Sequence, residues 1–180
     1  MYNNVNRFKG QIMAGLTQQI IKEAFLTLLN KKSIDKITVK EIVDFCDINR
    51  NTFYYHYADI YDLFDSVICD FFSDCAKSIN NAPNWNDAIS FVCAAAEKNK
   101  KLLKNSCSGA GEEIFWERLS TFFESLFLQT LKNEDKTELA FFYRCAFCGL
   151  IRDWLKKPKK NDLYLSCMSF YKIIEKNSLK

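Results

Sequence analysis

Glycine and proline are scarce in this chain of 180 residues, with five and two copies respectively, so the commonest helix breakers and turn formers are nearly missing. The long stretches free of both repeat their apolar residues with a period of 3.6, which excludes the sheet classes and predicts an all-α chain. Histidine occurs once, at His56, and that removes most histidine-dependent acid–base catalysis and most zinc chemistry. No apolar run reaches the roughly 18 residues of a membrane span, and no secretory signal opens the chain. The net charge is only +3, too small to name a partner by itself.

Hydrophobic residues make up 48% of the chain, ample for a core and far from a disordered composition. Eight cysteines without a secretory signal imply a reduced, soluble, cytoplasmic protein. Cys145 and Cys148 form a C-x-x-C, but within an uninterrupted helical pattern, with no second pair and no nearby histidine; core cysteines behave as small hydrophobes. No metal and no cofactor are expected. The adjacent acids Glu112-Glu113 and Glu134-Asp135 point to different helix faces, so neither is an acid–base pair. Gly109-Ala110-Gly111 lacks the third glycine and the preceding strand of a dinucleotide site and reads as a turn. No residue set is catalytic, and an enzyme is not expected.

What the chain does hold is the segment Thr38 to Phe64, TVKEIVDFCDINRNTFYYHYADIYDLF. Thr38 and Glu41 form a T-x-x-E capping box, which starts a helix at Thr38. Val39, Ile42, Val43 and Cys46 recur at helical steps and mark its buried face. Asp47 ends the helix, since Asp tolerates a left-handed or turn conformation. Asn49 is a good N-cap for a second helix, with Ile48, Phe53 and Tyr57 directed inward. Outside remain Arg50, Asn51, Thr52, Tyr54, Tyr55 and His56. A helix, a tight turn and a second short helix with a polar outer face form a helix-turn-helix signature.

These residues, Ile37-Thr38-Val39, Ile42 and Ile48 through Tyr57, resemble the DNA-binding region of the TetR family of bacterial transcriptional regulators. The likeness is strongest to a branch with N-R-N-T-F-Y-Y-H-F, then D-I-Y-D-L and a late G-x-x-x-x-W, matched here by Gly149 and Trp154. That branch includes a dihydroxyacetone kinase operon activator. The resemblance covers about the first third of the chain; the rest agrees in length and helical pattern. Two positions depart from the family. The usual turn glycine is Asp47, and the lysine that often holds a phosphate after the aromatic segment is Ile60, so that contact does not carry over.

The resemblance implies that Arg50, Asn51 and Thr52 reach base edges, while Tyr54, Tyr55 and His56 meet base edges or phosphates. Asn49, which caps this helix, is counted with them among the DNA-binding residues. Thr38 and Lys40 at the preceding helix start would position the DNA backbone. Some of the aromatics must instead be core, and Tyr57 is assigned there. The run Lys156-Lys157-Pro158-Lys159-Lys160 reads as a solvated turn rather than a second DNA site.

Along the chain, a first helix from Thr17 to Asn30 carries Ile20, Ile21, Ala24, Phe25, Leu28 and Leu29, with residues 1–16 either a loose arm or an extension of it. Asp59 caps a fourth helix with Ile60, Leu63, Phe64, Val67, Ile68, Phe71 and Cys75 inward. Further helices are expected over 86–97, 100–106, 112–132, 136–157 and 161–176, about nine in all. Residues 1–58 would form a helix-turn-helix DNA-binding domain and 59–180 a C-terminal helical regulatory and dimerisation domain. Phe91, Cys93, Trp116, Phe123 and Phe127 either line a small-molecule pocket, with Glu112, Glu113 or Glu117 meeting a cation at its mouth, or fill a core. Phe147, Leu150, Ile151 and Trp154 offer apolar surface for pairing two subunits.

The function expected on this resemblance is a homodimeric, sequence-specific regulator that binds a palindromic double-stranded DNA operator and answers to a small-molecule effector. A regulator of the same fold controlled by a protein partner is the alternative, and no membrane is involved.

Overall fold

The computed structural model describes residues 2–82, 84–131, 136–156 and 162–178. The expectations for Lys132, Glu134, Asp135 and the stretch 157–161 lie outside the described residues. Among those described, nine α-helices and one short 3-10 helix occur and no strand. In chain order they are α1 (Tyr2–Leu29), the 3-10 helix (Ile34–Lys36), α2 (Val39–Cys46), α3 (Arg50–His56) and α4 (Ile60–Asn80). Then follow α5 (Trp85–Lys98), α6 (Lys100–Ser106), α7 (Ala110–Thr130), α8 (Lys136–Lys156) and α9 (Leu163–Ser178).

Helix α1 begins at Tyr2, so residues 2–16 extend the first helix and are not a loose arm. Its buried side is narrower than the spacing suggests. Ile21, Ala24, Phe25 and Leu29 are buried, whereas Ile20 is 42% exposed, because α2 meets α1 along one edge: the Cys46 thiol lies 3.7 Å from the Ile20 carbonyl. On α4, Phe72 is buried and Phe71 only partly so. Neighbouring helical positions differ by about 100°, and α7 decides which ring points inward. Phe72 stacks on Phe122 of that helix at 5.2 Å.

Helix starts follow the side chains that can cap them. Asp59 Oδ1 accepts from the amides of Tyr61 and Asp62 at 2.8 and 2.9 Å, and Asn84 Oδ1 accepts from the Asp87 amide at 3.0 Å. Each removes an orphan donor from a helix start.

One contiguous core runs from Ile21 and Phe25 through Phe53, Phe64 and Phe115 to Leu163 and Cys167. The turn between α6 and α7 joins the front of the chain to the rest. Asn105 Nδ2 donates 2.7 Å to the Leu29 carbonyl, meeting an orphan acceptor at the end of α1. Ala110 and Gly111, read as part of a turn from sequence, already belong to α7. Gly111 lies so near the 3-10 helix that a Cβ there would stand 2.6 Å from Ile34 Cγ2. Gly109 takes φ +52° and leaves its Cβ space to the Asp35 carboxylate.

Candidate nucleic-acid interface

The start of α2 is built as its sequence requires. The Thr38 hydroxyl accepts from the Glu41 amide at 3.3 Å, and Glu41 Oε2 accepts from the Thr38 amide at 3.0 Å. The other carboxylate oxygen, Oε1, accepts from Lys32 Nζ. These partners hold the Glu41 carboxyl below the usual range, the Lys32 hydrogen bond first and the Thr38 hydroxyl and amide after it. Thr38 and Lys40 are both exposed at this helix start, where amides and lysine together favour an anion.

Helix α2 ends at Asp47, the one described non-glycine residue with positive φ, at 52°. Asp fits this left-handed corner where a β-branched residue would be strained. Asn49 then opens α3, its Oδ1 accepting from the Thr52 amide at 2.8 Å and from the Thr52 hydroxyl at 3.1 Å. The cap therefore occupies the Asn49 oxygen, leaving its Nδ2 donor to the surface, and turns the Thr52 hydroxyl inward to Asn49.

Phe53 and Tyr57 anchor α3 from behind, both buried, with ring centroids 5.9 Å apart. Burial raises the Tyr57 hydroxyl above its ordinary value. In front, Arg50, Asn51, Tyr54 and Tyr55 are exposed, Tyr55 to 79%, and Thr52 and His56 are half-buried. The Arg50 guanidinium lies 5.8 Å from the Tyr54 ring centroid, and His56 meets Tyr55 edge to face at 5.0 Å. This face can donate from guanidinium and amides, accept through amide and phenol oxygens, and present flat apolar rings, all on one helix narrow enough for a major groove.

Two features of this surface escape sequence reading. Lys32 pairs with Glu41 across nine positions and a loop, which no helical spacing announces. Phe45 is 56% exposed on α2, and its neighbours in the sequence carry no sign that an aromatic would stay in water.

The residues expected to line a pocket divide. Phe123 and Phe127 are buried and pack on Phe147 at 5.3 and 5.4 Å, so they fill the core. Cys93 is buried on α5, and the neighbouring Cys167 thiol of α9 together with burial raises its own thiol above the ordinary value. Phe91 is exposed on the same helix. Trp116 is partly buried, with the Arg152 guanidinium 4.4 Å from its ring centroid; the chain's own arginine holds the face on which a cationic ligand would stack. The structure brings Phe123 and Phe127 together and leaves Phe91 outside their cluster.

The residues expected to pair two subunits divide too. Trp154 is 1% exposed and donates 2.7 Å to Glu97 Oε1, with Lys100 Nζ 4.0 Å from its ring centroid. Phe147 is buried among Phe123, Phe127 and Phe170. Both rings lie inside the chain's own core, where α5, α7 and α9 close over them. Leu150 and Ile151 are half-buried. The exposed apolar side of α8 is instead Phe141, Phe142, Cys145 and Gly149, and α9 adds Leu165 and Ile173.

Cys145 and Cys148 are free thiols, and burial raises Cys148 to about 11. No group of metal-ligating side chains occurs among the described residues. No helix of the described residues is long and apolar enough to cross a membrane.

Comparison with known proteins bears on this arrangement in three ways. Residues 83–176, just over half of the chain, match the TetR-type family described as "Transcriptional regulator C-terminal region". The HTH-type transcriptional regulator YxbF of Bacillus subtilis is 32% identical over 69 residues, which are 38% of this chain but only 18% of that protein. Among solved structures, a TetR transcriptional regulator from Streptococcus agalactiae superposes with a TM-score of 0.67 at 19% identity, covering 92% of this chain and 96% of that one. The dihydroxyacetone kinase operon activator DhaS does so with a TM-score of 0.60 at 19% identity, over 91% and 94% of the two chains. A regulator from Aquifex aeolicus gives 0.61 at 17% identity, over 88% and 99%. At such identities the likeness is one of fold. With a helix-turn-helix at the front, a matched C-terminal region behind it and an all-helical architecture shared along nearly the whole length, this chain belongs to the TetR family of transcriptional regulators.

Proposed function

We propose that the chain binds double-stranded DNA in a sequence-specific way through α3 and does so as a homodimer on a near-palindromic operator in the cytoplasm. The observation that carries this reading is the outer face of α3. Arg50, Asn51, Tyr54 and Tyr55 stand exposed on a helix capped by Asn49 and anchored by Phe53 and Tyr57. Arg reads guanine O6 and N7 and Asn reads adenine N6 and N7. Lys40 and Thr38, at the start of α2, take phosphate contacts that set the register.

Residues 1–58 then act as the reading head and 59–180 as the regulatory and pairing part. Two heads on one two-fold axis reach successive major grooves about 34 to 36 Å apart. The apolar side of α8, from Phe142 through Cys145 to Gly149, with Leu165 and Ile173 of α9, is the surface we assign to pairing. Control by a small-molecule effector enters through α4, which starts three residues after Tyr57. A ligand that prefers one placement of α4 shifts the population of head separations.

The test is fluorescence anisotropy of the purified chain on its own promoter duplex against a scrambled duplex, with footprinting of the protected bases. Tighter binding to the promoter and a two-fold symmetric footprint support the reading. Equal affinity for both duplexes overturns it.

A further inference from the structure

The interior site expected from the aromatic residues is largely filled by stacked phenylalanines, but an open furrow of about 260 Å³ lies between α4 and α7. Phe72, Ala76, Phe122 and Leu126 give it apolar walls. Arg118 is the one charged residue lining it among the described residues. Its Nε and Nη2 donate to the two carboxylate oxygens of Asp65 on α4, at 2.5 and 2.6 Å. A guanidinium carries five N–H donors, so three remain beyond the two that meet Asp65. The neighbouring acids on α4 are offset: Asp70 pairs with Lys22 and Asp74 with Lys77.

We infer that this furrow between α4 and α7 is the effector site, and that it takes a small amphipathic carboxylate whose acid group meets Arg118 and whose apolar part lies on Phe72 and Phe122. The inference rests on the effector-controlled reading above and names its ligand class. Size sets one limit: the furrow is smaller than a drug-sized pocket, which suits a ligand on the order of ten non-hydrogen atoms. Charge sets the other. An ammonium, a donor only, finds no acceptor on the guanidinium of Arg118, and a neutral head would forgo the charge-assisted hydrogen bonds that a carboxylate makes with it.

The position of the furrow supplies the regulatory consequence. Asp65 stands on the second turn of α4 and Arg118 on α7, so their bond ties the helix behind the reading head to the regulatory part. A ligand carboxylate that shares Arg118 weakens its hold on Asp65 and frees α4 to move. Reciprocity then requires that operator binding lower the affinity for the acid by the same factor that the acid lowers operator affinity.

Octanoate is a probe of the right size, with octan-1-ol and octylamine as neutral and cationic controls, all tested on the full chain. At about ten times its Kd, octanoate should raise Tm by about 3 to 6 °C, with neither control doing so, and should weaken binding to the promoter duplex. Ser125→Phe fills the furrow without touching the Arg118–Asp65 pair, and Arg118→Gln removes the anchor; both should lose the octanoate shift. No shift with octanoate, an equal shift with octan-1-ol, or a shift that survives Ser125→Phe overturns the inference. Promoter binding is measured first without any probe. Its absence overturns the regulator reading, and octanoate binding still decides the furrow; promoter binding with no octanoate response overturns the furrow assignment alone.

Discussion

Replacing Gly109 by alanine should cost far more than its exposed place in a turn suggests. Gly109 has φ +52° and ψ −136°, a region open to glycine and nearly closed to other residues, and such backbone strain costs about 1 to 3 kcal/mol. The new Cβ would also enter the space of the Asp35 carboxylate. Asp35 is exposed and can swing away, giving up its 3.5 Å contact with the Tyr61 hydroxyl, so the second contribution is small beside the first. We expect Gly109→Ala to lose about 2 to 3 kcal/mol, which for a chain of this length lowers Tm by roughly 5 to 10 °C. Gly15 is the internal control: it sits in α1 with nothing within 4 Å of a built Cβ, so Gly15→Ala should gain about 0.5 to 1 kcal/mol. Urea unfolding followed by far-UV circular dichroism measures both. Adding Asp35→Ala to Gly109→Ala should recover only the minor share. A Gly109→Ala variant within about 0.5 kcal/mol of the parent, or full rescue by Asp35→Ala, would refute the assignment of the cost to backbone strain.

Other expectations follow from the same contacts. Arg50→Ala should cost operator binding about 1 to 3 kcal/mol and relax the preference at one base, whereas Lys40→Ala should weaken all sequences alike and lessen the salt slope; anisotropy titrations at several salt concentrations separate the two. Glu41 has a lowered carboxyl pKa in the folded chain, so its contribution is present above the unfolded value and is lost as pH falls through the folded one. The stability gap between parent and Glu41→Gln should therefore close in acid, and a gap that widens in acid would contradict the Lys32 and Thr38 contacts. A Cβ at Gly149 has nothing within 4 Å, so Gly149→Arg should leave helicity intact while shifting dimer to monomer in analytical ultracentrifugation; an unchanged dimer would move pairing away from this side of α8.

The parts legible in the sequence are those decided by near neighbours. The capping box at Thr38 and Glu41, the left-handed Asp47, the Asn49 cap and the inward Phe53 and Tyr57 all follow from residues within four positions of each other. Helix α6 runs over Lys100–Ser106 as its spacing predicts. The parts that were not legible depend on distant partners. Phe71 and Phe72 are equally apolar, and only α7 distinguishes them. Trp154 looks like an outer aromatic until Glu97 and Lys100, more than fifty positions earlier, close over it. Asp65 and Arg118 are 53 positions apart, so the furrow they border leaves no local mark. Gly111 resembles a turn residue because its reason for being glycine, the approach of Ile34, comes from the other end of the chain.

The grip of the α6–α7 turn on the 3-10 helix bears on any attempt to graft this helix-turn-helix onto another regulator. Asn105 closes the end of α1, and the glycines at 109 and 111 make room for Asp35 and Ile34. A chimera that exchanges only the first fifty-eight residues would set a foreign 3-10 segment against this notch, or this segment against a foreign turn with no gap to receive it. Transplants that carry both halves of the joint should keep their heads seated, and those that divide it should lose stability before they lose any base contact.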